Sequence, residues 1–308
     1  MERALDFLMH NLFSVQALSK EQITHIMERA AVMKCERGCH SSYPLNNQIW
    51  ALLFSQSSTR TRISFEAGIR ELGGRVLFLS ASDLQLGRGE PIQDTARVFG
   101  RMLHGVIIRT SRQEVVEEFA KFSGLPTLNA LTDAEHPCQI LSDLFTIQES
   151  FSNLKELCIC FIGDGNCNVA HSWMWAATRL KFSLRVVAPV SYQPSANLRR
   201  EVDSSVVTVT DDLCAAVRGA NVLYTDVWVS MGKEKETRDR IAQLEGYQVN
   251  RNTLSQALPG ALVMHCLPAY RGREITEEVF EAHSDTIFRQ AENRLHTQKA
   301  ILEWAVQK

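Results

Sequence analysis

The sequence predicts an α/β protein of two domains, each a parallel β-sheet flanked by helices, with long helices joining them. Short apolar runs rich in β-branched residues alternate with amphipathic helical segments, the signature of βαβ units. The alternation breaks once, at a long helical segment over residues 136–150, and then starts again, which argues for two sheets rather than one. The polar residues able to do chemistry stand where apolar runs end: Arg109, His136, Asp164, Asp226 and His265 to Pro268. Ligands of open parallel sheets bind at the carboxyl ends of strands, so the two domains are expected to face each other across one cleft.

In chain order, the first conspicuous element is "FSQSSTRTRISFEAGIRELGG", residues 54–74. Phe65, Ile69 and Leu72 stand at helical spacing, and Gly73 with Gly74 closes the helix, so "SSTRTR" occupies its first turn. Arg60 and Arg62 lie at the end where the helix dipole is already positive, and they lose energy there unless an anion is bound. Free N–H groups, hydroxyls and a guanidinium fork together suit a phosphate; the plainer reading is a Ser/Thr cap with solvated arginines. Strand-like runs follow at 75–80, 105–110 and 125–131, with the amphipathic stretches "DTARVFGRML" and "QEVVEEFAKF" between them.

"HPCQ", His136 to Gln139, opens the joining helix. Proline at the first helical position puts His136 at the cap and Gln139 on the first turn, as a structural cap or as a catalytic pair. "LCICFIGDGNCN" then runs from a strand into a helix near 169, but the dinucleotide spacing G-x-G-x-x-G fails because residue 168 is Asn. Asn168 reads as a plain cap or as an amide for a small polar ligand. Strands at "LRVVAPV", "VVTVT", "ANVLYTDVW" and "ALVMHCLP" follow, leaving Asp226 free to hold an ammonium group and Cys266 beside a proline. The closing segment, about 285–308, reads as an amphipathic helix with Ile287, Ala291, Leu295 and Leu302 on one stripe.

The 308 residues suit about two domains, and 45 % hydrophobic with 22 % charged residues is ordinary globular composition. A net charge of -2 offers no basic excess for nucleic acid. Eight cysteines are too sparse for a disulfide scaffold, and Cys35, Cys39 and His40 lack a second ligand pair, so no metal is expected. No secretory or transit pattern opens the sequence, and no apolar run approaches the ~20 residues of a membrane span, so a cytoplasmic protein is expected.

Taken together, "STRTR", "HPCQ", "DVWVSMG" and "HCLP", in this order and at these separations, resemble the aspartate/ornithine transcarbamoylase family on its ornithine-using branch. The resemblance runs from about residue 45 to "AENRLHTQKA". It implies a carbamoyl phosphate domain at 1–135, with the closing helix packing back on it, and an ornithine domain at 136–284. It implies transfer of a carbamoyl group to the δ-amine of ornithine, giving citrulline and phosphate, without cofactor or metal, by a homotrimer with a shared active site. The family's phosphate turn matches Ser58, Thr59, Arg60 and Thr61, and its carbamoyl contacts match Arg109, His136 and Gln139. Its loop glutamine from a neighbouring subunit matches Gln85, its acceptor-binding groups match Asn168, Asp226, Ser230 and Met231, and the reacting-end residues match Cys266, Leu267 and Arg294. Arg60, Arg109, His136, Asp226 and Cys266 are the expected catalytic groups.

Two departures bear on the acceptor. Ser55 and Gln56 stand where the family commonly has Glu and Lys, and Cys167 replaces the first of paired asparagines. A different diamino acid as acceptor, or a carbamoyl phosphate-binding paralogue with little turnover, therefore stay as alternatives.

Overall fold

The computed structural model describes residues 10–80, 89–229 and 237–307. The chain divides into two compact units, Met1–Phe145 with Asn293–Lys308, and Thr146–Glu292. Both cuts fall inside helices.

The first unit contains α1 (Lys20–Cys35), β1 (Ile49–Phe54), α2 (Thr59–Glu71), β2 (Arg75–Ser80), α3 (Ile92–Met102), β3 (Gly105–Arg109), α4 (Gln113–Ser123), β4 (Thr127–Leu131) and the start of α5 (Pro137–Gln148). Its sheet is ordered β2-β1-β3-β4 and every pair is parallel. Sequence reading passed over β1, the central strand. "IWALLF" is buried on both faces and so lacks the alternation that marks a half-exposed strand. Ala51, Leu53, Val106 and Ile108 face α3 and α4, whose Phe99 and Phe119 meet edge to face at 5.4 Å. The two helices approach closely because of Gly100: a Cβ there would lie 2.2 Å from the Ser123 carbonyl oxygen.

The second unit runs from the end of α5 through β5 (Cys158–Ile162), α6 (Asn168–Leu180), β6 (Ser183–Val187), α7 (Ala196–Glu201), β7 (Val207–Thr210), α8 (Leu213–Val217), β8 (Val222–Thr225), α9 (Thr237–Leu244), α10 (Arg251–Ser255), β9 (Leu262–His265) and α11 (Glu277–Ala282) into α12 (Ser284–Val306). Its sheet is ordered β7-β6-β5-β8-β9, again all parallel. Among the described residues no helix is long and apolar enough to cross a membrane.

In each sheet the order reverses beside the first strand, between β1 and β3 and between β5 and β8. A crevice opens at the carboxyl ends of such a pair. The chain leaves β1 into Ser55–Ser58, β3 at Arg109, β5 into Asp164 and β8 into Asp226, so the expected strand-end residues stand at the two switch points.

Helix α12 corrects one expectation. From Asn293 to Ala305 it is buried almost all round, including Asn293, Arg294, His296, Gln298 and Lys299, instead of showing a single apolar stripe. Within the first unit several of its polar side chains are met by polar groups of α1, α2 and α5: Lys34 donates to Asn293 at 2.8 Å, and Arg29 pairs with Glu303 at 2.6 Å.

Candidate active site

In the first unit the site is built on the start of α2. Ser58 is its N-cap, and the serine oxygen accepts from the Thr61 N–H at 3.3 Å. Thr59 opens the helix and Arg60 follows in the first turn. Thr61 is fully buried, and its hydroxyl oxygen accepts from the Arg294 guanidinium at 2.9 Å. The same guanidinium donates to Gln139 Oε1 at 2.9 Å, while Gln139 Nε2 donates to the buried Asp143 at 2.8 Å. Residues of α2, α5 and α12 are thereby tied in one chain of bonds.

Arg109 ends β3 and is 5 % exposed. Its carbonyl accepts from both the N–H and the hydroxyl of Ser55, at 2.8 and 3.2 Å, which joins the exits of β1 and β3. His136 immediately precedes α5, as its proline predicted, and is also 5 % exposed. Burial, followed by the charges of Arg294, Arg109 and Arg60, holds its pKa well below the ordinary imidazole value. At neutral pH it is an uncharged hydrogen-bonding group. Three guanidiniums around a neutral ring, at the amino end of a helix, leave positive charge that a bound anion offsets. Arg62 takes no part: it pairs with Glu66 at 2.7 Å and lies over the Phe78 ring at 3.7 Å.

In the second unit Asp226 follows β8 and is 9 % exposed. Its carboxylate accepts from the Val227 N–H at 2.8 Å and from the Cys266 thiol at 3.0 Å. Burial raises its pKa above the usual aspartate value. Behind Cys266, His265 is joined by Glu274, which sequence reading missed. His265 Nδ1 accepts from the Leu267 N–H at 2.9 Å, so the ring proton sits on Nε2 and points to Glu274, 3.2 Å away. Leu267 has φ +59° and its bond to Pro268 is cis; the histidine holds this strand-end turn from within through the Leu267 N–H. The ligand atoms of Asp226, His265 and Cys266 lie within 4.8 Å of one another. Both nitrogens of His265 are already engaged, so a metal there would have to displace one of these bonds.

Asn168 is the first residue of α6, not its cap. The cap is Cys167, whose sulfur accepts from the Ala170 N–H at 3.5 Å. Burial, then the charges of Asp164 and Asp226, push that thiol well up, so it is unreactive. Asp164 itself forms a buried ion pair with Arg240, whose Nε donates to the Trp228 carbonyl at 2.8 Å. Arg240 too was missed, for its partners are distant in sequence. Gln85, Ser230 and Met231 lie outside the described residues. Cys35 and Cys39 are exposed, while His40 lies against Lys299 and Glu71.

The fold and these two clusters define a two-unit parallel α/β protein with a cluster of arginines, hydroxyls and a neutral histidine on one unit and a carboxylate and thiol pair on the other. The chain matches the family model for the aspartate/ornithine carbamoyltransferase carbamoyl-P binding domain over residues 10–149, and that for the Asp/Orn binding domain over residues 155–305. It is 55 % identical over 296 residues to an ornithine carbamoyltransferase of Akkermansia muciniphila, covering 96 % of this chain and 97 % of that one. It is 46 % identical to one of Campylobacter fetus, covering 97 % and 99 %. Among solved structures, ornithine carbamoyltransferase from Pyrococcus furiosus superposes with a TM-score of 0.89 at 39 % identity, over 95 % of this chain and 96 % of that one. A structure described as the anabolic ornithine carbamoyltransferase of Campylobacter jejuni also gives 0.89 at 39 % identity, over 96 % and 98 %. The chain belongs to the aspartate/ornithine carbamoyltransferase family.

Proposed function

We propose that this enzyme transfers the carbamoyl group of carbamoyl phosphate to the δ-amine of L-ornithine, giving L-citrulline and phosphate, in arginine biosynthesis or in the arginine deiminase direction. The observation that carries the reading is neutral His136 at the amino end of α5, under the charges of Arg294, Arg109 and Arg60, with Arg294 bonded to Thr61 in the first turn of α2. It is a site built for a small dianion bearing a carbonyl.

Ser58, Thr59, Arg60 and Thr61 hold the phosphate. Arg109, His136 and Gln139 hold the carbamoyl group, with Arg294 positioned by Thr61 and Gln139. Attack by the amine puts negative charge on the carbonyl oxygen, which Arg109 and His136 stabilise by hydrogen bonds. Phosphate leaves with its growing charge against Arg60. A lysine-like amine is deprotonated at pH 7 only at a cost of roughly 4 to 5 kcal/mol. The Asp226 and Cys266 pair answers that need on the acceptor side, Asn168, Ser230 and Met231 complete ornithine recognition, and Cys266 and Leu267 also face the carbamoyl phosphate. The protein works in the cytoplasm as a homotrimer, with Gln85 supplied by a neighbouring subunit.

The test is product formation from carbamoyl phosphate with ornithine, 2,4-diaminobutyrate, lysine, putrescine, aspartate and N-acetylornithine, with phosphate release followed in parallel. Preference for ornithine supports the proposal and makes Ser55, Gln56 and Cys167 neutral departures. Preference for another amine overturns the acceptor assignment, and carbamoyl phosphate binding without turnover favours a non-catalytic paralogue.

A further inference from the structure

We infer that Lys299 is a positioning residue for the anion cradle: it clamps α12 to α2, so that the Arg294 guanidinium stays on Thr61 and Gln139. The inference rests on the function proposed above, because it concerns the same cradle.

Lys299 has a fully buried side chain inside the first unit. An ammonium out of water is costly unless each of its donors is met. Here all three are: Glu71 Oε2 lies 2.6 Å away, His40 Nε2 3.1 Å and the Met33 carbonyl 3.3 Å. These acceptors come from the last turn of α2, the segment after α1, and α1 itself. One side chain of α12 therefore fixes three other pieces of backbone.

The lysine stem lies directly on α2. A Cβ added at Gly68 would stand 3.1 Å from Lys299 Cγ and 3.6 Å from Leu295 Cδ1, so the glycine is what lets α12 come so near. Five residues before Lys299, about 7.5 Å along the helix, Arg294 grips Thr61 in the first turn of α2. Helix α2 is thus held at both ends by α12, at Thr61 where the cradle opens and at Glu71 where the helix finishes. Apolar packing between the two helices would tolerate sliding. An ammonium with three fixed acceptors has one geometry, and through two stiff helices that geometry sets where Arg294 meets Thr61.

Lys299→Met keeps the length of the side chain and removes its charge. In the whole chain it should raise the KM for carbamoyl phosphate about tenfold, with kcat within about twofold of the parent and the ornithine KM unchanged. Calorimetric titration with inorganic phosphate reads the cradle without turnover and should weaken by a similar factor. Glu71→Gln, at a side chain 25 % exposed, should act in the same direction and carries the test where Lys299→Met does not fold. Unchanged phosphate affinity in a folded variant overturns the inference. So does an equal rise in both Michaelis constants, which is the mark of general loosening. If the parent binds phosphate but never carbamoylates ornithine, the proposed function fails, while weakened phosphate binding in these variants still supports Lys299.

Discussion

Asp226 shows how burying a single candidate site residue costs stability at neutral pH. Burial raises its pKa in the folded state above the unfolded value near 3.8. A raised folded pKa contributes stability that is present below the unfolded value and lost as pH rises through the folded one. At neutral pH the ionised carboxylate is therefore held at a cost. Asp226→Asn keeps an oxygen to accept from Val227 and Cys266, and should raise the apparent Tm at pH 7 by about 2 °C. The gain should shrink toward pH 4, while turnover with ornithine falls at least about a hundredfold. A lower Tm at pH 7, read by thermal circular dichroism, would mean that the ionised carboxylate stabilises the fold. His136 has the opposite shift, and the sign reverses with it. Its depressed pKa means that stability is full above the unfolded value near 6.5 and declines as pH falls below it.

At the scale of elements, the sequence was most legible where a residue type announces its backbone. The helix after the hydroxyl and arginine run, the Pro137 start and the strand-end place of Arg109 were all read correctly, since each follows from local chemistry. Elements whose signal depends on neighbours were read less well. β1 gave no alternation, Cys167 took the cap from Asn168, and α12 was given one apolar stripe although its polar side chains from Asn293 onward are buried too, several of them on partners from α1, α2 and α5. Arg240, Glu274 and Lys299 could not be found from spacing, because their partners lie far along the chain or across a turn. Close approach of whole helices is equally invisible in sequence, and Gly100 gives it a test. With the Ser123 carbonyl 2.2 Å from the position of an added Cβ, Gly100→Ala must push α3 and α4 apart. It should destabilise the protein by about 2 to 3 kcal/mol in urea unfolding. A loss below about 0.5 kcal/mol would show that the pair separates freely.

At the scale of the molecule, the first unit is discontinuous: residues 1–145 are completed by 293–308, whereas 146–292 form one uninterrupted stretch. The returning segment brings Arg294 to Thr61, Lys299 to Glu71 and Glu303 to Arg29. A fragment of residues 1–145 should therefore unfold without cooperativity and bind no inorganic phosphate, and a peptide of residues 293–308 added in trans should restore both. Residues 146–292 alone should retain a cooperative urea transition. Cooperative unfolding of 1–145 by itself would show that the returning segment is dispensable.

The order of synthesis gives that return a meaning of its own. At ~5 to 20 residues per second the ribosome spends roughly 7 to 30 s on the stretch between Phe145 and Asn293. Throughout that interval the nascent first unit carries the start of α2 without the arginine that completes it. On the proposed reading, the growing chain should not bind carbamoyl phosphate until the second unit has been made, and a message cut short anywhere before Arg294 yields a protein without the Arg294 bonds to Thr61 and Gln139.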